Sequence, residues 1–396
     1  MKTNYVHKAA ILLMVIVMTI PLSGCGLSRN PVPVARIYDG QVPGYSNIRG
    51  FDYEYKSDIK LGTDASSDCS VLALSGGGAS GAFGAGFLNG WTASGTRPKF
   101  RIVTGISTGS LIAPLAFLGP EYDELLKKSY TTVKTKDILN VKGLFGIGPL
   151  LFGESYASTK PLQQSISELA TEKVLAAIAR EHAKGRRLYM GTTNLDAQRL
   201  MIWDMGAIAS SGRPDSKQLF QKVMLASASI PGVFPPVYFN VEIDGRQYDE
   251  MHVDGGTVTE VFGYGTHMFD KSAASDKLPA GTCNIYVIRN GKLTTTPAQT
   301  PRKTPKIIAR SLDTLMTAHL WLDIIRMYSV AQRDNVGFNY VSVPDNYVPG
   351  GKEMFDPVEM KRLFDLGYEM AKPGYKWNKA PPGYRDSVEE KMIWTN

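Results

Sequence analysis

Apolar residues in this chain come in short blocks separated by glycine-rich or polar turns. Val71-Leu72-Ala73-Leu74 ends in Ser75 and a glycine cluster, the pattern of a buried strand running into a tight turn. Arg101-Ile102-Val103-Thr104-Gly105 repeats it and leads into a helical stretch, Thr108 to Phe117. Arg187 to Thr192 and Asn284 to Ile288 predict two more strands. Helical patterns lie between them, at Lys173 to His182 and at Ile307 to Arg333. In the longer one, apolar residues at 308, 312, 315 and 322 predict a buried stripe that takes in His319. Asp356-Pro357 supplies an N-cap and a first-position proline for a last helix to about Ala371. Buried strands alternating with helices imply an α/β fold with a mainly parallel sheet.

The two ends read differently. Lys2 and Lys8 precede an apolar run, Ala9 to Ile20, which is followed by small residues up to Cys25: an export signal over residues 1–24. The run is shorter than the ~20 residues that span a bilayer. Leu22-Ser23-Gly24-Cys25 resembles the bacterial lipobox, which implies acylation of Cys25 and, with Gly26 rather than Asp following, an outer-membrane address. Residues 25–68 hold Pro31, Pro33, Gly40, Pro43, Gly44 and Gly50 without a period. They are expected to be a lipid-anchored tether, partly strapped down by Phe51, Tyr53 and Tyr55. Residues 69–371 form the domain, and the Pro- and Gly-rich residues 372–396 a surface tail.

Composition narrows the function classes. With 43% hydrophobic and 20% charged residues the chain is of ordinary globular make-up. Its net charge of +7 favours anionic partners, but the basic clusters (Arg180 to Arg187, Arg302-Lys303) lack interleaved aromatics, which argues against nucleic acid. There are three cysteines and no zinc-type spacing. With Cys25 acylated, Cys69 and Cys283 remain as an even pair in an exported chain. Each sits just before a predicted strand, so they are a possible disulfide or two buried thiols.

Three segments could carry chemistry. Gly76-Gly77-Gly78-Ala79-Ser80-Gly81 follows a strand and fits the dinucleotide fingerprint. No acidic residue follows before Glu121, so an NADP-dependent oxidoreductase would need Arg97 or Arg101 instead. Alternatively the amides of such a loop gather round an oxyanion. Gly105-Ile106-Ser107-Thr108-Gly109 is a serine on a sharp strand-to-helix turn. Asp254-Gly255-Gly256 adds a carboxylate; alone it is a turn, but with the other two it completes an acyl-transfer set.

In that order the segments resemble the patatin-like phospholipase family, as do Thr193-Asn194-Leu195-Asp196 and Ala226-Ser227-Ala228-Ser229-Ile230-Pro231 with Phe234-Pro235-Pro236. The resemblance runs from about residue 70 to 370. It implies a three-layer α/β/α sandwich, a Ser107–Asp254 dyad, an oxyanion hole from the N–H groups of Gly76, Gly77 and Gly78, and glycerolipid acyl esters as substrates, with no cofactor. Two positions depart from the family: Ser80 stands where Arg or Lys is common, and Glu260-Val261-Phe262 where Asn-x-Pro is frequent. The first allows a fold that has lost turnover and serves as an outer-membrane interaction protein. Histidines offer a rival base for Ser107. His267 and His319 follow Asp254 in the chain, and His252 lies two residues before it on the same strand. Ile138 to Phe152, with Phe145, is expected to be a lid or acyl-chain wall beside Ser107, or else a core loop.

Overall fold

The computed structural model describes residues 29–52, 69–141, 155, 157–263 and 283–384. Cys25, Tyr53, Tyr55, Phe145, Phe152 and His267 lie outside them. The elements in chain order are β1 (Arg49–Phe51), β2 (Cys69–Leu74), α1 (Gly81–Ala93), β3 (Ile102–Gly105), α2 (Thr108–Leu118) and α3 (Asp123–Thr131). A short pair follows, β4 (Asn140–Val141) and β5 (Ala157–Ser158), then α4 (Lys160–Leu169), α5 (Glu172–Ala183), β6 (Arg187–Asn194), β7 (Arg199–Asp204), α6 (Met205–Ser210) and α7 (Ser216–Ser227). The chain continues through β8 (Val237–Ile243), β9 (Arg246–Asp254), β10 (Cys283–Arg289), α8 (Thr304–Arg333), β11 (Gly337–Ser342) and α9 (Pro357–Ala371).

Five strands in the order β6-β3-β2-β10-β11 are parallel and form the centre of an open sheet. Antiparallel β7 and β1 extend it beyond β6, and the β8–β9 hairpin joins through β9. Because side chains alternate across a strand, β2 serves two cores. Leu72 and Leu74 pack with α1 and with Met360, Leu363 and Phe364 of α9. Val71 and Ala73 pack with Leu320, Ile324, Met327 and Ala331 of α8. Helices thus cover both faces, as the α/β sandwich requires. Asp356 caps α9 as expected, its carboxylate accepting the N–H groups of Val358 and Glu359.

The orientation of one helix and the limits of the domain depart from the sequence reading. The buried stripe of α8 is Leu320, Ile324, Met327 and Ala331, whereas Ile308, Leu312, Leu315 and Leu322 face outward, 37% to 62% exposed. Both sets have helical spacing, so periodicity alone chose the wrong face. Residues 29–52 are not a loose tether. Arg29 pairs with Asp196 and Asp249, Arg49 with Glu250, and β1 adds an edge strand to β7 with Phe51 buried. The segment after α9 is also docked: Trp377 stacks against Phe87, Trp91 and Tyr286, and Asn378 pairs with Tyr340.

Cys69 and Cys283 are register partners on the neighbouring parallel strands β2 and β10, with Cα atoms 4.5 Å apart, and they are disulfide-bonded. The bond closes a loop of 214 residues. Its removal by Cys69→Ala with Cys283→Ala should lower unfolding stability by about 2–4 kcal/mol in urea titration. The full chain carrying Cys25→Ser should show no titratable thiol when denatured without reductant; two thiols would contradict the bridge.

Candidate active site

The placement of the site follows from β6. Along one edge its first half pairs with β3, Met190 opposite Gly105. Its second half pairs with the end of β9, Thr192 opposite Asp254. The other edge is occupied by β7, with Met190 opposite Trp203 and Thr192 opposite Met201. So β3 and β9 approach the same edge end to end, and the turn after Gly105 meets Asp254.

That turn is sharp. Ser107 has φ 53° and ψ −124°, a strained backbone for a residue with a side chain, and it caps the N-terminus of α2. The flanking glycines are required sterically. A Cβ on Gly105 would stand 2.5 Å from the Gly109 carbonyl oxygen, and one on Gly109 2.4 Å from that of Leu74. The 226–231 segment holds both partners. Ser227 Oγ accepts the Ser107 N–H at 3.1 Å while donating to the Gly191 carbonyl, and the Ser229 carbonyl accepts the Asp254 N–H at 2.9 Å.

Asp254 is 1% exposed and Ser107 5%. One carboxylate oxygen, Oδ1, accepts the Gly256 N–H at 2.8 Å, while Oδ2 makes no closed hydrogen bond among the described residues. Burial pushes the Asp254 carboxyl up to about 7, partly offset by the Ser107 hydroxyl and the Gly256 amide and reinforced by Glu260. Ser107 therefore faces the carboxylate without a tight bond to it. Catalytic hydrogen bonds are often this loose before substrate binds.

The glycine loop lies against the serine, since a Cβ on Gly76 would come within 3.4 Å of the Ser107 Cβ. Gly76 departs from the expected donor set: its N–H is engaged by the Glu260 carbonyl at 3.0 Å. Its own carbonyl accepts from Ser75 Oγ at 2.7 Å and from the Arg289 guanidinium at 2.9 Å. In a trans peptide the next N–H points the opposite way, so that of Gly77 is turned away from Arg289. The N–H groups of Gly77 and Gly78 have no acceptor among the described residues. Gly77 needs to be glycine, with φ 148° and the Asn290 carbonyl where a Cβ would sit.

Arg289 and Glu260 were not singled out from the sequence as site residues. Arg289 ends β10 beside the glycine loop and contacts Glu260 at 3.2 Å. Burial lowers the guanidinium's pKa and raises that of Glu260, each opposed by the other's charge. Burial also raises Asp323 of α8 to about 7, although it accepts the N–H groups of Glu260 and Val261. Glu260 is thus the acid that meets the Arg289 guanidinium, and its charge adds to the rise of both Asp254 and Asp323. Ser80 places no cation on the loop; the charge beside it comes from Arg289. The sequence signal was available in retrospect: Arg289 ends a predicted strand at the same sheet edge as the glycine loop.

His252 is fully buried, Nδ1 2.8 Å from Thr192 Oγ1 and Nε2 3.1 Å from Glu250 Oε2. Burial lowers its pKa, against the pull of Glu250. With both ring nitrogens engaged it cannot help Asp254, the expectation raised by its position two residues earlier. Arg97, one of the two arginines that could have served a nucleotide phosphate, is buried on Asp123 at 2.8 Å and on the Ala116 carbonyl.

A strained serine at a helix N-terminus, a buried carboxylate and a glycine loop, all at the carboxyl ends of parallel strands, define an α/β protein of the acyl-transfer class. Residues 72–262 match the model of the patatin-like phospholipase family. The match stops before β10, so Arg289 and α8 lie beyond it while completing the same sheet and site. Among solved structures, VipD from Legionella pneumophila is similar, with 13% identity, a TM-score of 0.34, and coverage of 82% of this chain and 73% of that one. No curated protein matches the chain.

Two outcomes test the electrostatics. Arg289→Gln leaves Glu260 buried without its cation and should lose about 3–5 kcal/mol in urea unfolding, part of it regained on adding Glu260→Gln. Asp254 has a folded pKa above its unfolded one, so its neutral form stabilises the fold at low pH. That contribution fades as pH rises from about 4 through about 7. Asp254→Asn removes the dependence. Relative to wild type its Tm should rise by about 3–6 °C between about pH 5 and about pH 8; a flat difference would contradict the raised pKa.

Proposed function

We propose that this protein is a membrane-tethered serine lipid acyl hydrolase, a carboxylic ester hydrolase of phospholipase A, lysophospholipase or esterase type, working through a Ser107–Asp254 dyad. The observation that carries the reading is the buried Asp254, held near neutrality with one open oxygen towards Ser107 and no histidine bonded to it among the described residues. A carboxylate at about 7 is matched to proton transfer at neutral pH, where an ordinary one near 4 is too weak a base.

In the first step Ser107 Oγ attacks the acyl carbonyl carbon as its proton passes to Asp254 Oδ2. The carbonyl oxygen becomes an oxyanion held by the N–H groups of Gly77 and Gly78, aided by the positive end of α2. Collapse breaks the ester bond; the departing alkoxy oxygen takes the proton from Asp254, leaving acyl-Ser107. Water then attacks the acyl carbon and gives a proton to Asp254. That proton returns to Ser107 Oγ as the fatty acid leaves. Arg289 fixes the Gly76 peptide, and so the direction of the Gly77 donor. Residues 22–25 support acylation at Cys25 and an outer-membrane location.

With a soluble p-nitrophenyl ester, Ser107→Ala and Asp254→Asn should each reduce kcat/KM by about 10²–10⁴-fold or more. His252→Gln and His319→Ala, checked for folding, should each keep at least about a tenth of the activity. Wild-type kcat/KM should rise with pH to a plateau, with an apparent pKa near 7. A folded histidine variant as inactive as Ser107→Ala would overturn the dyad. Palmitate labelling of cells should disappear with Cys25→Ser.

A further inference from the structure

We infer that the outward face of α8 docks the protein on a bilayer surface carrying anionic headgroups, beside the Ser107–Asp254 site. The helix has two apolar faces. Leu320, Ile324, Met327 and Ala331 are buried against the sheet at 0–1% exposure. On the opposite side Ile308, Leu312, Leu315 and Leu322 recur at helical spacing, flanked by Ile307, and nothing among the described residues covers them. Soluble surfaces scatter single exposed leucines; a continuous stripe of this kind marks an interaction surface.

Charge identifies the occupant. Arg302, Lys303 and Lys306 are exposed at the start of the helix, and Arg310 lies one turn on, paired with Asp313 at 2.9 Å. Between residues 300 and 316 the chain has four cations and one acid, a net charge of 4 − 1 = +3. Apolar side chains on one face with Lys and Arg on the remaining surface of the same turns are what an interfacial helix needs: the former enter the acyl boundary, the latter attract the anionic surface. A second copy of the chain would bring like charge against like. Among the described residues no helix is long and apolar enough to cross a membrane, so the stripe lies in the interface rather than through it.

The same helix reaches the site. The Met316 methyl would stand 3.1 Å from a Cβ on Gly256, Asp313 acts electrostatically on Glu260 and Arg289, and Asp323 holds the Glu260 and Val261 amides. A surface held on the outer stripe therefore lies next to the elements that carry Asp254 and the glycine loop. That it presents acyl esters there rests on the hydrolase reading above; the docking itself does not.

The test uses the full chain with Cys25→Ser, so that no acyl anchor contributes, sedimented with vesicles of phosphatidylcholine alone or mixed equally with phosphatidylglycerol. Binding should favour the mixed vesicles and weaken with salt. Ile308→Ser with Leu315→Ser should lower partition by about a hundredfold, roughly tenfold per large apolar side chain. Lys303→Glu with Lys306→Glu should lower it by about fivefold or more per charge on the mixed vesicles only. Adding Ser107→Ala should leave binding unchanged, which separates docking from catalysis. Unaltered partition in the Ile308/Leu315 variant would overturn the inference. So would a concentration-dependent dimer in light scattering that this variant abolishes while vesicle binding persists. A wild type that binds vesicles but hydrolyses no soluble ester would refute the hydrolase reading and leave the docking standing.

Discussion

An eight-residue strand, Arg187–Asn194, is longer than the four-residue β3 beside it, and the leftover edge is filled by the end of β9. Backbone hydrogen bonding demands that such an edge be paired when it is buried. Satisfying it from a hairpin that arrives antiparallel brings a carboxylate to the mouth of the parallel strands. The serine turn, the 226–231 segment and the glycine loop are then arranged around a meeting point set by main-chain pairing. Side chains tune that point, but none of them creates it.

The second organising feature is the shortage of positive charge. Asp254, Glu260 and Asp323 are all buried or nearly so, and Arg289 is the cation in contact with Glu260. A charged group in a low-dielectric interior is expensive without a partner, so burial raises all three, and the charge of Glu260 adds to the rise of Asp254 and Asp323, each to about 7. Arg289 is placed where it does two things at once, pairing with Glu260 and bonding the Gly76 carbonyl. Main-chain direction in the loop is thereby tied to the charge state of the cluster. Asp254 sits apart from the guanidinium and keeps one open oxygen.

The parts of this arrangement that were legible in the sequence are the ones governed by local sterics. Glycines at 105 and 109 and the cluster at 76–78 are demanded by backbone close approach, and they stand out against ordinary composition. Asp254 was legible through its own glycines. What was not legible depended on pairing between distant strands. Gly76 looked like one of three equivalent donors, and only the approach of Glu260 removes its N–H. His252 shares a strand with Asp254, but Glu250 and Thr192 claim its ring. Periodicity located α8 and then failed to orient it, because the helix is apolar on two opposite sides and only one of them meets the sheet.

The covalent bond at the other end of β2 bears on this geometry in a different way. Cys69 and Cys283 tie the starts of β2 and β10, while the glycine loop and Arg289 sit at their finishes. Parallel strands buried on both faces are apolar along most of their length, so a slide by two residues keeps each side chain on its own face of the sheet and, compared with a slide by one, meets less resistance from packing. Such a slide would carry Arg289 about 7 Å past the Gly76 carbonyl. The bridge makes that misalignment impossible once formed. It acts as a ruler for the two strands, measuring from one rim of the sheet so that the correct atoms meet at the other.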